Sequence, residues 1–449
     1  MQARQAVEKV HAWISDHRDE APRILEDIYA RQTEKDITYK DRPIPTFLRP
    51  CFVSAGQRDM IRESSQVLIE CAERFIQVYR EDESARAAIG LPPDEVEYAL
   101  MDTGLDRQIV VARPDGFLKG DDLKFLEFNS DSPAGVAWTD LHEEVFLELP
   151  HIRELAAEVA LGGSDCRRIM LDAFLRAYKE FGLPDKPVAA VVDWRDVSTL
   201  REFYINQSDF EKNGVEALVA DPRDFELRGD KLYAQGKAVN LIYRRVIIGE
   251  VIEKKDEPGI RDFLEAFRRK LCCFVNPFCS KIPGSKSFMG VLSDERFDSI
   301  FTARQNEVRR NFVPVTRVLK PGKVTWRQRV VDVYDLAREE QDNLVIKPTF
   351  GYGGRGVNLG RERTPGEWDD LLQEAANHPG EWTMQEYVEI PEEPFPVLEP
   401  GLAFEPRKVN LNPYLFGGTY AGCFVRLSKS SIINVTAGGG MVPVFVLES

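Results

Sequence analysis

Apolar residues recur at helical spacing through the first hundred positions. The pattern is clearest in MIRESSQVLIECAERFIQVYRE, Met60 to Glu81, which predicts an amphipathic helix ending before the loop GLPPDE. RQIVVARPDGF and LKFLEFNSD then form short apolar runs joined by the polar turn KGDD, a hairpin signal. From about 165 to 280 the patterns alternate: MLDAFLRAYKEFG as helix, VAAVVD as strand, STLREFYINQSDFEKNG as helix, VEALVA and VNLIYRRV as strands. Such alternation predicts a small parallel α/β domain. SKSFMGVLSDERF reads as a helix opened by Ser285. From 344 onward come strand LVIKP, a glycine loop, strand VNL, a helix begun at TPGEWDDLLQEAA and strand EWTMQEYV. EIPEEPFPVLEP, with four prolines, reads as a loop that cannot join a central strand. The stretch 418–448 is β-rich, and its glycines Gly438 to Gly440 fit a plain turn.

The glycine loop carries the first chemical signal. In VIKPTFGYGGRGV the glycines Gly351, Gly353 and Gly356 match a dinucleotide fingerprint, but that motif needs a helix after the glycines, whereas VNLG is extended. A P-loop needs Lys-Ser/Thr after its last glycine, and Val357-Asn358 supplies neither. Protein kinases place their lysine after such a loop; here Lys347 precedes it. The only HRD, His17-Arg18-Asp19, lies in a helix-like segment with Ile24 where the kinase asparagine belongs. What remains is a strand-loop-strand lid whose backbone can approach phosphates closely for want of Cβ atoms.

Composition narrows the partners. At 449 residues, with 43% hydrophobic and 30% charged content, the chain has the make-up of a globular protein of several domains rather than a disordered or fibrous one. A formal charge of -15 excludes nonspecific binding to nucleic acid or an anionic membrane. No run approaches a bilayer span and MQARQAVEKVHAWISDHRDE has no signal-peptide core, which points to the cytoplasm. Seven cysteines without paired spacing fit reduced thiols; Cys272, Cys273 and Cys279 have no histidine near them to complete a zinc site.

Lys-Pro, a glycine hairpin and a later strand ending QEYV resemble the ATP-binding half of the ATP-grasp ligases. The resemblance implies that Lys347 binds ATP phosphates and that the loop containing Gly351, Gly353, Gly354 and Gly356 closes over them. It also implies that backbone groups of Gln385, Glu386 and Val388 hold adenine. The family's first lysine is matched by Lys286, with Lys281 as the alternative. Phosphoryl transfer from ATP needs Mg²⁺, which takes hard oxygen ligands. Downstream, Asn410 and Asn412 lack a glutamate partner; an E-x-N motif occurs far upstream as Glu127-Phe128-Asn129. Residues two apart on a strand share a face, so Glu127 pairs with Asn129 and Arg113 with Asp115, and the hairpin would set both pairs side by side.

That inverted order resembles the circularly permuted ATP-grasp ligases, the group containing glutathionylspermidine synthetase and eukaryotic glutathione synthetase. It implies an α/β and α+β chain: an ATP-grasp fold in permuted order with a small Rossmann-like pre-ATP-grasp domain. Residues 1–160 would form a helical segment plus metal-binding strands, 165–280 the pre-ATP-grasp domain, and 281–449 the lid and the rest of the core. Asp115, Glu127 and Asn129 would hold the metal, Arg113 would stabilise transferring charge, and Arg426 would grip a substrate carboxylate bidentately. The cofactors implied are ATP and Mg²⁺. The expected partners are a small carboxylate, such as an amino acid or short peptide, and an amine, with glutathione and a polyamine as the nearest guess; a homodimer is left open. The implied activity is that of an ADP-forming carbon-nitrogen ligase working through an acyl phosphate. A kinase on the same scaffold and a silent ATP-binding protein are the alternatives.

Overall fold

The central sheet joins distant parts of the chain. A computed structural model describes residues 1–351, 353–398, 401–433 and 439–448. In it the strands run in the order Cys51–Ser54, Gly440–Leu447, Thr419–Ser428, Ala403–Phe416, Val111–Lys119, Asp122–Asn129. All neighbours are antiparallel except the first pair. Gly440–Leu447 is buried along its whole length, as expected of an apolar run covered on both faces. The 27-residue helix Ala55–Glu81 packs on this sheet beside Val136–Leu147 and Cys166–Phe181. Its start, ahead of the expected Met60, is set by a capping box: the Ser54 side chain accepts from Gln57 N–H and the Gln57 side chain accepts from Ser54 N–H.

Three expectations are corrected. The proline-rich stretch contains a strand, Glu392–Val397, paired with Ala403–Phe416. It pairs on that one side only, where Pro394 and Pro396 cost no ladder donor on a second edge. The largely helical N-terminal hundred residues also contribute the sheet strand Cys51–Ser54. Finally, the helix expected to run from Ser285 through Phe297 ends at Leu292 and gives way to a 3-10 helix at Glu295–Ile300. Ser285 occupies the N-cap position without capping, because its hydroxyl donates to Ile282 O instead.

The alternating region forms an all-parallel sheet in the order Cys273–Val275, Leu241–Arg244, Val188–Val192, Glu216–Ala220. It carries an antiparallel three-stranded sheet over Glu226–Val239 that the apolar pattern did not reveal. A fourth sheet, Thr316–Val318, Trp382–Glu386, Leu344–Pro348, Asn358–Leu359, has its own core around Trp368. The adjoining helix Pro365–Asn377 starts at a Thr364/Glu367 capping box with proline in its first turn. Among the described residues no helix is long and apolar enough to cross a membrane, and all seven cysteines are buried and unpaired.

Candidate functional site

The hairpin of Val111–Lys119 and Asp122–Asn129 sets Arg113 opposite Asn129 and Asp115 opposite Glu127, the adjacency expected from the alternation. A bulge follows between Asp115 and Gly116. The polar row continues across the sheet, since Asn410 donates to Gly116 O at 3.0 Å and lies opposite Arg426 on the next strand. Glu127, Asp115, Asn410 and Arg426 thus form a line across four adjacent strands. They line one cavity with Lys347 and Gln385, which come from the two central strands, Leu344–Pro348 and Trp382–Glu386, of the sheet built around Trp368.

These groups line a cavity of about 360 Å³, together with Lys286, Gly351, Gly353, Gly354, Glu386 and Val388. Lys347 Nζ donates to Leu126 O at 3.0 Å and Gln385 Oε1 at 2.8 Å. Lys286 Nζ lies 3.8 Å from Glu127 Oε2 and donates to Gly351 O, reaching from the core to the glycine loop. Lys281 instead lies 3.5 Å from Asp131 and is not part of the cavity wall. Apolar wall comes from Val345, directly across the ladder from Gln385, and from Leu359 and Ile390, together with Tyr387, on which the Arg361 guanidinium stacks at 3.4 Å. Of the expected adenine-binding backbone, Glu386 N–H already donates to Val315 O, as the neighbouring Tyr387 N–H does to Asn343 O; Val388, two residues past the strand's end, lines the cavity. Gln385 contributes its side chain, donating to Thr316 Oγ1 at 2.9 Å while accepting from Lys347.

Asp115 is held as no spacing argument could show. Arg113 grips it bidentately, Nε to Oδ1 at 2.7 Å and Nη2 to Oδ2 at 2.9 Å, and Arg426 Nη2 reaches Oδ2 at 2.5 Å. Arg113 Nη1 donates to Ala134 O at 2.8 Å, while Arg426 also donates to Asn410 Oδ1 and Asn412 Oδ1. The Nε/Nη2 face of Arg426 is therefore occupied by the protein itself. Asn410 and Asn412 were set aside for want of a glutamate; the signal that could have found them was their own two-residue spacing on a strand.

The electrostatics follow from burial against charge. Burial would raise the Glu127 carboxyl, but Lys286, Lys347 and Arg426 outweigh it and hold it down at about 2. Burial lowers the Lys347 ammonium to about 8, Lys286 adding to the shift and Glu127 opposing it. Burial pushes Asp115 up against the pull of Arg113 and Arg426. Five cationic side chains, Arg113, Lys286, Lys347, Arg355 and Arg426, against three carboxylates, Asp115, Glu127 and Glu386, leave the walls net positive, suited to a polyanion.

Among the described residues no three His, Cys, Asp or Glu side chains form a metal cage. Mg²⁺ characteristically takes one or two protein oxygens and completes its shell from phosphates and water. Glu127 and Asn129 fit that donor set: Asn129 turns its amide N–H₂ toward Glu127 Oε1 at 3.3 Å, and both line the cavity. Asp115 has both oxygens engaged by guanidinium groups. In the glycine segment Gly354 has φ +74° and a Cβ there would lie 2.6 Å from Ile432, so the loop and the 429–433 segment meet closely. Tyr352 and Gly438 lie outside the described residues.

Beside the cavity the loop Ser130–Gly135 is pinned from the parallel sheet. Arg244 donates to Asp131, Arg245 to Pro133 O, and Gly135 N–H to Glu202 Oε1 at 2.9 Å. Here, at the carboxyl ends of the strands, buried atoms of Glu202, Asn206, Tyr243 and Arg245 have no hydrogen-bond partner among the described residues.

No family model and no curated protein matches the chain. Among solved structures it is similar to a glutathione synthetase-like effector from Globodera pallida in its apo form. The TM-score is 0.63 at 11% identity, covering 95% of this chain and 97% of that one. A candidate gamma-glutamylcysteine synthetase from Methylobacillus flagellatus KT aligns at TM-score 0.43 and 11% identity over 87% of this chain and 88% of that one. The first match shows a shared fold over nearly the whole length.

Proposed function

We propose that the protein is an ATP-dependent, ADP-forming ligase that joins a small carboxylate to an amine on an ATP-grasp scaffold in permuted order. The observation that carries this reading is the convergence of Lys286, Lys347, Arg113, Arg426 and the Glu127/Asn129 pair on one cavity beneath a glycine loop. In this reading 1–160 and 281–449 build the ATP-grasp core and lid, and 165–280 is the pre-ATP-grasp domain.

The apolar wall beside Tyr387 and Val388 takes the adenine, and the two lysines take the phosphates. Glu127 and Asn129 hold Mg²⁺, which when bound offsets charge on the β- and γ-phosphates. Asp115 keeps Arg113 and Arg426 in place, so that each guanidinium aims its remaining Nη1 hydrogens at charge developing in transfer. Donors fixed in advance cost no reorganisation in the transition state. A carboxylate oxygen of the acid attacks the γ-phosphorus and ADP leaves. The amine nitrogen then attacks the acyl carbon, phosphate departs, and the nitrogen gives up a proton. The glycine loop excludes water that would hydrolyse the acyl phosphate. The Ser132–Ala134 side, at the carboxyl ends of the parallel strands, is where such sheets bind ligands; Asn206 and the Glu202–Arg245 ion pair, 3.9 Å between Oε2 and Nη2, leave buried polar atoms without hydrogen bonds that suit a zwitterionic substrate there.

The test incubates the protein with Mg-ATP and panels of amino acids, short peptides and amines, following phosphate release and product mass. Phosphate release requiring both an acid and an amine, with an amide product, is expected. A stable phosphorylated product without amine would make it a kinase; no turnover with any pair, despite tight ATP binding, would make it a binding protein.

A further inference from the structure

At the bulge the strand Asp122–Asn129 carries one residue more than its neighbour: Asp115 pairs with Glu127 and Gly116 with Phe125, which leaves Leu126 outside the ladder. Its carbonyl serves another sheet. Leu126 O accepts from Lys347 Nζ at 3.0 Å and from Gln385 Nε2 at 3.2 Å, both from the sheet built around Trp368. Gln385 sits diagonally across the ladder from Lys347, since Thr383 is the direct partner of Lys347 and Val345 that of Gln385.

The Gln385 side chain is buried, and only one orientation of its amide fits its surroundings. An ammonium can only donate, so Oε1 faces Lys347 Nζ at 2.8 Å. Thr316 Oγ1 gives its hydrogen to Pro314 O and the Leu126 carbonyl can only accept, so Nε2 faces both. Lys347 depends on this arrangement. Its side chain is 6% exposed, and an ammonium taken out of water must find acceptors. Leu126 O and Gln385 Oε1 take two of its three N–H groups and leave the third for a ligand. The nearby charges pull the other way: Glu127 attracts the ammonium and Lys286 repels it. Without the amide, Lys347 keeps a single carbonyl, and its next acceptor is the carboxylate of Glu127, one residue along the chain from that carbonyl.

We infer that Gln385 is a positioning residue: it holds the Lys347 ammonium on the bulged Leu126 carbonyl and off Glu127, so that the third N–H meets the nucleotide phosphates. The inference rests on the nucleotide half of the ligase reading and on none of the chemistry that follows it.

The test is ADP affinity at saturating Mg²⁺, measured by calorimetry on the full chain. Gln385→Met and Gln385→Leu, two apolar replacements of different shape, should each weaken ADP at least fivefold. In a Lys347→Met background the same replacements should change it less than twofold, because a residue acting only through Lys347 then has nothing to position. Thr316→Val removes the third partner of the amide while leaving its contact with Lys347, and should bind ADP within twofold of wild type. Equal losses with Lys347 present and replaced, unchanged affinity in both Gln385 variants, or a loss in Thr316→Val as large as theirs would each overturn the inference while leaving the nucleotide site in place. Absence of ADP binding by the wild-type chain would overturn it together with the nucleotide half of the ligase reading. The expected pattern supports the inference even where no amide forms, since none of these readouts needs turnover.

Discussion

Two isosteric substitutions, Asp115→Asn and Glu127→Gln, test the proposal that Asp115 clamps arginines while Glu127 holds metal. Asp115 accepts three guanidinium hydrogen bonds at 2.5 to 2.9 Å with its side chain 3% exposed. Neutralising it leaves two guanidiniums facing an amide, and breaking a buried pair in this way costs ~3–5 kcal/mol. Glu127 is held more loosely. Its fall from 4.5 to about 2 corresponds to ~3 kcal/mol at full burial. Screening of a side chain 32% exposed reduces that to on the order of 1–2 kcal/mol. One kcal/mol shifts Tm by about 2–4 °C at 150–250 residues and less in a longer chain. Without ligand, Asp115→Asn should therefore melt on the order of 5 °C lower and Glu127→Gln only ~1–2 °C lower. The assay is thermal unfolding with and without ADP and a Mg²⁺ titration, because a ligand that binds only the folded state raises Tm by mass action. Asp115→Asn should keep the Mg²⁺-dependent part of the increment, and Glu127→Gln should lose it. The opposite pattern, with Asp115→Asn stable but blind to Mg²⁺ and Glu127→Gln fully responsive, would refute the reasoning and return Asp115 to the metal.

Three further outcomes are expected. Lys347 is depressed from 10.5 to about 8, so its charged form is disfavoured in the folded protein; the penalty is full below pH 8 and fades as pH rises toward 10.5. Nucleotide affinity measured by calorimetry should thus fall as pH rises through about 8, and Lys347→Arg, which stays charged, should flatten the profile. Gly354→Ala forces a side chain into a left-handed backbone and against Ile432, at ~1–2 kcal/mol. If nucleotide binding uses this loop position, affinity should drop about tenfold with Tm nearly unchanged; wild-type affinity would show that binding uses another. Trp368→Ala removes a ring 1% exposed whose Nε1 donates to Ala337 O at 2.8 Å. It should cost ~3–5 kcal/mol, read as preferential loss of hydrogen-exchange protection in 316–386.

The local pattern was legible where one element meets solvent on one side and core on the other. The Arg113/Asp115 and Glu127/Asn129 hairpin, the parallel sheet of 188–275 and the capped helix at Thr364 follow from periodicity and turn chemistry, which act over a few residues. The sequence was less informative where a short segment takes its conformation from a distant partner. Cys51–Ser54 is a strand because Gly440–Leu447 offers it an edge, and Glu392–Val397 because Ala403–Phe416 does, despite its prolines.

At the site, alternation was enough to pair Arg113 with Asp115 and Glu127 with Asn129, since that depends on which face of a strand a residue occupies, whereas Lys347 and Lys286 were nominated by the resemblance to the ATP-grasp ligases; all six line one cavity. Only the tertiary structure could decide what each charge is bound to. Asp115 and Arg426 are 311 positions apart and touch because two strands far apart in the chain flank the same third strand. That contact sets guanidinium groups against a carboxylate that the family resemblance assigned to metal. Periodicity fixes which way a side chain points; which partner it meets there depends on chain closure over hundreds of residues, and no local pattern encodes it.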